Sequence, residues 1–284
     1  MGCTATQGIG RRAAHPVGGD SLVNAASSRV LLIDLGNTRV KWAWLSGDGT
    51  EPEGAGAART GDGFSDLPFL DGDKQVTGAL ACNVAGIELG RKLAGLVRER
   101  LDVELVFVQA QASACGVTAA YANPLNLGAD RWAALIGAHA LGPADYCIVD
   151  AGSTVTMDLL LADGRHLGGY IAPGREMSLA AMAKGTAELA SRLRDHAGRP
   201  GDLAPGTDSA EAMEKGTLAA QLGMIRSGME RLASEGGGSP VLLLTGGGAD
   251  ALIATGELPE ARLAPDLVLR GLAALALELR VRPE

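Results

Sequence analysis

Two short segments far apart in the chain, Asp34-Leu35-Gly36-Asn37-Thr38 and Asp150-Ala151-Gly152-Ser153-Thr154, share one grammar. Each follows an apolar run with the character of a buried strand, Val30 to Ile33 and Cys147 to Val149, and each leads into a second apolar run, Val40 to Leu45 and Val155 to Leu161. A strand, an aspartate, a glycine, small hydroxyl or amide residues and a returning strand describe a β-hairpin, and its duplication describes a pair facing one ligand. The tip glycine lets the main chain come close to a polyphosphate with no Cβ in the way. Thr38 and Ser153 add hydroxyl donors, and Lys41, three residues past Thr38, supplies a point charge within reach of a phosphate. The aspartates repel phosphate, so their expected work is to hold Mg²⁺, which keeps much of its water and takes one or two carboxylates plus phosphate oxygens. The expected chemistry is phosphoryl transfer from a nucleotide.

The rest of the pattern alternates strands and helices. Gln75 to Cys82 and Glu104 to Val108 are expected as strands. Gly90 to Arg100 is expected as an amphipathic helix facing inward through Leu93, Leu96 and Val97. Ser46 to Gly63, rich in Gly, Glu and Ala, is expected to end in a loop, and Tyr121 to Gly128 to be irregular. Asp130 opens a helix over Arg131 to Leu141 with Trp132, Leu135 and Ile136 inward. After the second hairpin, helices are expected near Met177 to Leu193 and Ala210 to Ser234. A buried strand, Val241 to Leu244, delivers Thr245-Gly246-Gly247-Gly248, and Leu267 to Arg280 is helical. The fold class is therefore α/β. Two domains are expected, residues 29–144 and 145–284, hinged near Pro143 to Tyr146. Residues 1–28 read as a disordered extension or a misplaced start; a dinucleotide-like Gly8 to Ala13 lacks the preceding strand that motif requires, and a myristoylation-like Met1 to Thr6 is a short pattern that arises often by chance.

Composition narrows the class. With 284 residues and 46% hydrophobic content, the chain can bury two cores. Aromatics are only 3%, so those cores rest on Ala, Val and Leu. A net charge of −8 argues against a nucleic-acid or membrane partner. Cys3, Cys82, Cys115 and Cys147 have neither Cys-x-x-Cys nor zinc-like spacing, so they read as free thiols and the location as cytoplasmic.

The double Asp-x-Gly hairpin resembles the superfamily of acetate and sugar kinases, Hsp70 and actin, which implies two ribonuclease-H-like (actin-like ATPase) domains around a nucleotide cleft. Within it, the chain resembles the type III pantothenate kinases. The matching blocks are Asp34 to Thr38, Asn123 to Arg131 with its Gly-x-Asp-Arg, Asp150 to Thr156, Gly168 to Gly174, and Thr245 to Gly247. The resemblance implies ATP-dependent phosphorylation of pantothenate, the first step of coenzyme A synthesis, by a homodimer. Gly168 to Gly174 would lie at its interface.

In that reading Asp130 accepts the alcohol proton. At the first turn of a helix the dipole favours its ionised form, which predicts an acidic, weakly basic carboxylate. Pantothenate would meet Tyr121, Gly128, Ala129, Arg131, whose fork suits its carboxylate, and the hydroxyls of Thr186 and Ser209, the latter where the family tends to have threonine. ATP would meet Asp34, Gly36, Asn37, Thr38, Lys41, Gly152, Ser153, Thr154, Gly246 and Gly247. The resemblance also assigns a monovalent cation, K⁺ or NH₄⁺, to Asp150. Asp158 reads as a strand or salt-bridge residue, and Asn123 and Asn126 as possible loop formers. The rival reading is a regulatory protein like the family's accessory factor for toxin-gene expression, binding nucleotide with little turnover.

Overall fold

The computed structural model describes residues 28–47, 49–71, 75–185, 203–279 and 281. The first sheet is built from β1 (Arg29–Leu35), β2 (Arg39–Ser46), β3 (Glu53–Arg59), β4 (Val76–Asn83) and β5 (Leu105–Phe107), in the order β3-β2-β1-β4-β5. β1 pairs antiparallel with β2 and parallel with β4. Helix α1 (Ile87–Leu101) makes the crossover from β4 to β5. A small hairpin of β6 (Ser113–Ala114) and β7 (Val117–Thr118) leads to α2 (Ala129–His139).

The second sheet repeats the plan. β8 (Tyr146–Ala151), β9 (Thr154–Leu160), β10 (His166–Pro173), β11 (Val241–Thr245) and β12 (Arg262–Leu263) run in the order β10-β9-β8-β11-β12, with β8 antiparallel to β9 and parallel to β11. Helices α3 (Arg175–Gly185), α4 (Ser209–Gly236), α5 (Ala249–Ile253) and α6 (Leu267–Glu278) complete it. Two sheets of identical order and direction are the ribonuclease-H plan of actin-like ATPases, as expected.

Strand parity sorts the side chains into three cores. On β1, Val30 and Leu32 face the middle of the molecule while Leu31, Ile33 and Leu35 face outward, packing with Leu93 and Val97 of α1. On β8, Ile148 faces the middle, and Cys147 and Val149 face outward with Leu222 and Ile225 of α4. Strands buried on both faces need continuous apolar runs, and both have them.

Between the sheets lie α2 and α6, their side chains joined to both sheets in one core. They cross at glycines: a Cβ on Gly137 would collide with the Leu267 carbonyl, and one on Gly271 with the Ala133 carbonyl. Although α6 follows the second sheet in sequence, it packs on β1, β2 and β4 of the first.

One expectation fails here. Ser46 to Gly63 does not run out into a loop, because Glu53–Arg59 is strand β3 along the edge of the first sheet. Its small residues hid it: Trp42 lies over Gly56 so closely that a Cβ there would collide with the indole. The helix expected from Met177 to Leu193 is described only to Gly185, and the extension 1–28 lies, Ser28 apart, outside the described residues.

Candidate active site

The sheet ends bring both Asp-x-Gly turns together. Each turn is closed by a backbone bond, Gly36 N–H to Arg39 O at 3.0 Å and Gly152 N–H to Thr154 O at 3.0 Å. Thr38 Oγ1 lies 2.8 Å from Ser153 Oγ, so the turns meet at their hydroxyls. Asn37, Thr38, Gly152 and Ser153 are exposed, open to a ligand.

Asp34 stands opposite Lys41 in the β1–β2 register and opposite Cys82 on β4. Burial pushes its carboxyl up to about 6 against the pull of Lys41, and Asp130 and Asp150 add to the rise. Burial also raises Asp150, which Lys41 lowers and Asp130 raises again. The three carboxylates therefore share one electrostatic environment, with Lys41 offsetting Asp34 and Asp150, and Arg131 offsetting Asp130. Lys41 Nζ also donates to Pro265 O at 3.4 Å, just before α6.

Thr245-Gly246-Gly247 packs against the second turn. Thr245 pairs with Asp150 across β11 and β8, and Gly248 N–H donates to Ala151 O at 2.7 Å. Gly246 has φ 87°, and a Cβ there would collide with the Asp150 carboxylate. Only glycine serves both demands.

Asp130 lies in the first turn of α2, as expected, but its carboxyl is not held acidic there. Burial raises it, outweighing the Arg131 N–H that donates to Oδ1 at 2.7 Å and the Arg131 charge. The dipole argument left out desolvation, which here is the larger effect. The result is a better proton acceptor than the sequence suggested. Its carboxylate folds back over Gly128, where a Cβ would stand 2.6 Å from Oδ1. Ala129 begins the helix.

Arg131 departs further from expectation. Its fork is already engaged: Nε and Nη2 donate to Asp158 at 2.8 and 2.6 Å, and Nη1 donates to Tyr121 Oη at 3.1 Å. Asp158 is thus the salt-bridge residue that its strand position suggested. Asn123 closes its own loop, its side chain accepting Leu125 N–H at 3.2 Å. Ser209 begins α4 behind the capping Asp208, and no hydrogen bond among the described residues joins it to Asp130, Arg131 or Tyr121. Thr186 lies outside the described residues.

Two residues that sequence reading missed support the site. Thr60 Oγ1 donates to Gly36 O at 2.8 Å and its N–H to Thr38 O at 3.0 Å, bracing the first turn from below. His166 bonds to Asp158 at 2.9 Å. Neither carried a motif.

Paired sheets of this plan, with an acidic glycine turn at the end of each meeting the other, are the fold of the acetate and sugar kinase, Hsp70 and actin superfamily. The fold likeness extends to a crystal structure of a conserved Baf-family protein from Campylobacter jejuni, with TM-score 0.56 and 20% identity over 88% of this chain and 98% of that one. The sequence pattern of the type III pantothenate kinases matches residues 30–231. A type III pantothenate kinase of Aromatoleum aromaticum is 37% identical over 253 residues, 88% of this chain and 98% of that protein. Another, from Burkholderia multivorans, is 36% identical over 256 residues, 87% and 96% of the two chains. The chain belongs to the type III pantothenate kinase family.

Proposed function

We propose that this protein transfers the γ-phosphoryl group of ATP to the primary alcohol of pantothenate, giving 4′-phosphopantothenate and ADP. The observation that carries the reading is the gathering of Asp34, Asp130 and Asp150 in one field beside two touching phosphate turns. Like charges so placed are costly unless cations or protons offset them. In this reading the backbone and hydroxyls of residues 36–38 and 152–154 hold the triphosphate, Lys41 pairs with it, and Gly246 and Gly247 lie against the adenosine. The alcohol oxygen bonds to the γ-phosphorus as its bond to the β-bridging oxygen breaks. The alcohol proton passes to Asp130, which burial has made more basic.

The donor set suits Mg²⁺. Asp34 and Asp150 are two hard oxygen donors, and among the described residues no three His, Cys, Asp or Glu side chains could hold a metal unaided. Such an ion takes the rest of its shell from water and phosphate. Held by Asp34 and the phosphates, it would offset charge on the transferring group. The same reading gives Asp150 a K⁺ or NH₄⁺ ion, and gives Tyr121, Gly128, Ala129, Arg131, Thr186 and Ser209 to pantothenate.

The lobes would be residues 29–144 and 145–284, with α6 crossing back. A homodimer joined through Gly168 to Gly174 is supported by the edge position of β10, where Tyr170 and Ile171 are exposed. Among the described residues no helix is long and apolar enough to cross a membrane, and a cytoplasmic location fits the free Cys82, Cys115 and Cys147.

The test is ADP release by purified protein with and without pantothenate, in K⁺ and then in Na⁺ buffer. Pantothenate-dependent turnover, strongest in K⁺ and reduced about 10²–10⁴-fold in Asp130→Asn, is expected. Nucleotide binding without that turnover would overturn the reading and leave the regulatory alternative.

A further inference from the structure

We infer that Asp158 and His166 are positioning residues for the acceptor half of the site, fixing Arg131 and Tyr121 so that pantothenate meets a preset pair of donors. The inference rests on the proposed kinase reading and deepens it.

Asp158 lies on β9 between Met157 and Leu159, which face the outer core, so its carboxylate points inward at α2. It is 3% exposed and His166 is 4% exposed. A carboxylate so placed is costly without partners, and it has three hydrogen bonds: two from Arg131 and one from His166 Nε2 at 2.9 Å. His166 Nδ1 accepts Ala120 N–H at 3.4 Å, which leaves the ring hydrogen on Nε2, facing Asp158. The Tyr121 ring stacks on the imidazole at 6.1 Å between centroids, 14° from parallel, and Arg131 Cζ lies 5.8 Å from the centre of the same ring.

The chain of contacts joins three elements. β9, which continues from the second phosphate turn, holds the first side chain of α2 after Asp130. β10, through His166, holds the loop carrying Tyr121. Asp158 occupies the Arg131 fork, so the guanidinium serves substrate through Nη1, beside Tyr121 Oη, and not as a bidentate clamp. Two donors side by side, one cationic and one neutral, suit a single carboxylate of an acceptor whose alcohol reaches Asp130.

A second observation points to the same pair. Gly169 lies opposite Asp158 in the β10–β9 register, and a Cβ there would stand 2.5 Å from Asp158 Oδ1 and 2.6 Å from Arg131 Nη2. The edge strand is pared to its backbone where the ion pair passes.

The test is steady-state kinetics on the full chain, with both substrates varied, for wild type, Asp158→Asn and His166→Phe. His166→Phe keeps a flat ring against Tyr121 and removes both imidazole hydrogen bonds, and it serves if Asp158→Asn does not fold. The expected result is a pantothenate KM raised about 10–100-fold in Asp158→Asn, and about 5–10-fold in His166→Phe, with the ATP KM within about twofold of wild type. Asp158→Glu should recover part of the loss. A merely structural role would lower the thermal midpoint and the active fraction and leave the pantothenate KM of folded molecules unchanged, and that outcome overturns the inference. Wild-type protein without pantothenate-dependent turnover overturns the kinase reading and the inference with it. Normal wild-type turnover with unshifted KM values in the folded variants overturns the inference alone.

Discussion

Thr38 Oγ1 and Ser153 Oγ stand 2.8 Å apart, one on the hairpin of each sheet, so the free protein already bridges its two Asp-x-Gly turns. Both residues are exposed, and a hydroxyl pair open to water adds little to folding. With a triphosphate between the turns, each hydroxyl instead has a charged acceptor. Thr38→Val and Ser153→Ala should each weaken ATP binding about 5–20-fold, on the order of 1–2 kcal/mol, with little change in thermal midpoint. Calorimetric titration with ATP reads this directly; unchanged affinity in both variants would remove these hydroxyls from the phosphate site.

The Asp34 carboxyl, pushed up to about 6, makes a prediction about pH. The folded state binds this proton more tightly than the unfolded chain does, where the group titrates near 4. Its contribution to stability is therefore fully present below about pH 4 and is lost as pH rises through about 6. Asp34→Asn should stabilise the free protein at pH 8 by on the order of 2 kcal/mol, and the difference should close towards pH 4. Urea midpoints of the two proteins across that range measure it. Mg·ATP favours the ionised group, so wild-type affinity should rise with pH through the same window.

Gly246 combines a left-handed φ of 87° with contact against Asp150. Gly246→Ala must move the β11 turn away from the second phosphate turn. An ATP KM raised at least about tenfold, with a stability loss of roughly 1–2 kcal/mol, is expected. Gly247→Ala meets open space at its Cβ and should do much less.

Gly271→Ala should be among the most damaging single-atom additions, because its Cβ would strike the Ala133 carbonyl on α2. Overpacking of this kind costs about 1–3 kcal/mol and more when backbone is involved. α2 carries Asp130 and Arg131, so turnover per folded molecule should fall as well. A variant with wild-type melting and wild-type rate would show that the two helices separate freely.

Much of this architecture could be read in the sequence because its signals are local. β1 and β8 are continuous apolar runs, and each ends in an aspartate and a glycine that permit few alternatives. The place of Asp130 in the first turn of a helix was legible from the Pro-containing loop before it. Its basicity was not, since desolvation depends on everything packed around it. β3 was illegible because its alternation is written in Gly and Ala, chosen by a tryptophan on the neighbouring strand. The partner of Asp158 was hidden for a related reason: Arg131 is 27 residues away, and only the meeting of β9 with α2 makes them neighbours. The apolar character of α6 announced burial without saying against which sheet. Thr60 had no signal at all, being one threonine after a strand that itself was not visible.

That return of α6 to β1 and β4 sets an order for biosynthesis. A nascent chain that has emerged only as far as β11 has all five strands of its first sheet and α2, yet Leu32, Leu80 and their neighbours still lack α6, the second of the two helices that pack on them. The inner face of that sheet stays partly uncovered until residues 267–278 leave the ribosome. Released fragments that end before Leu267 should therefore recruit chaperones or be cut by protease, and those that extend past Glu278 should not.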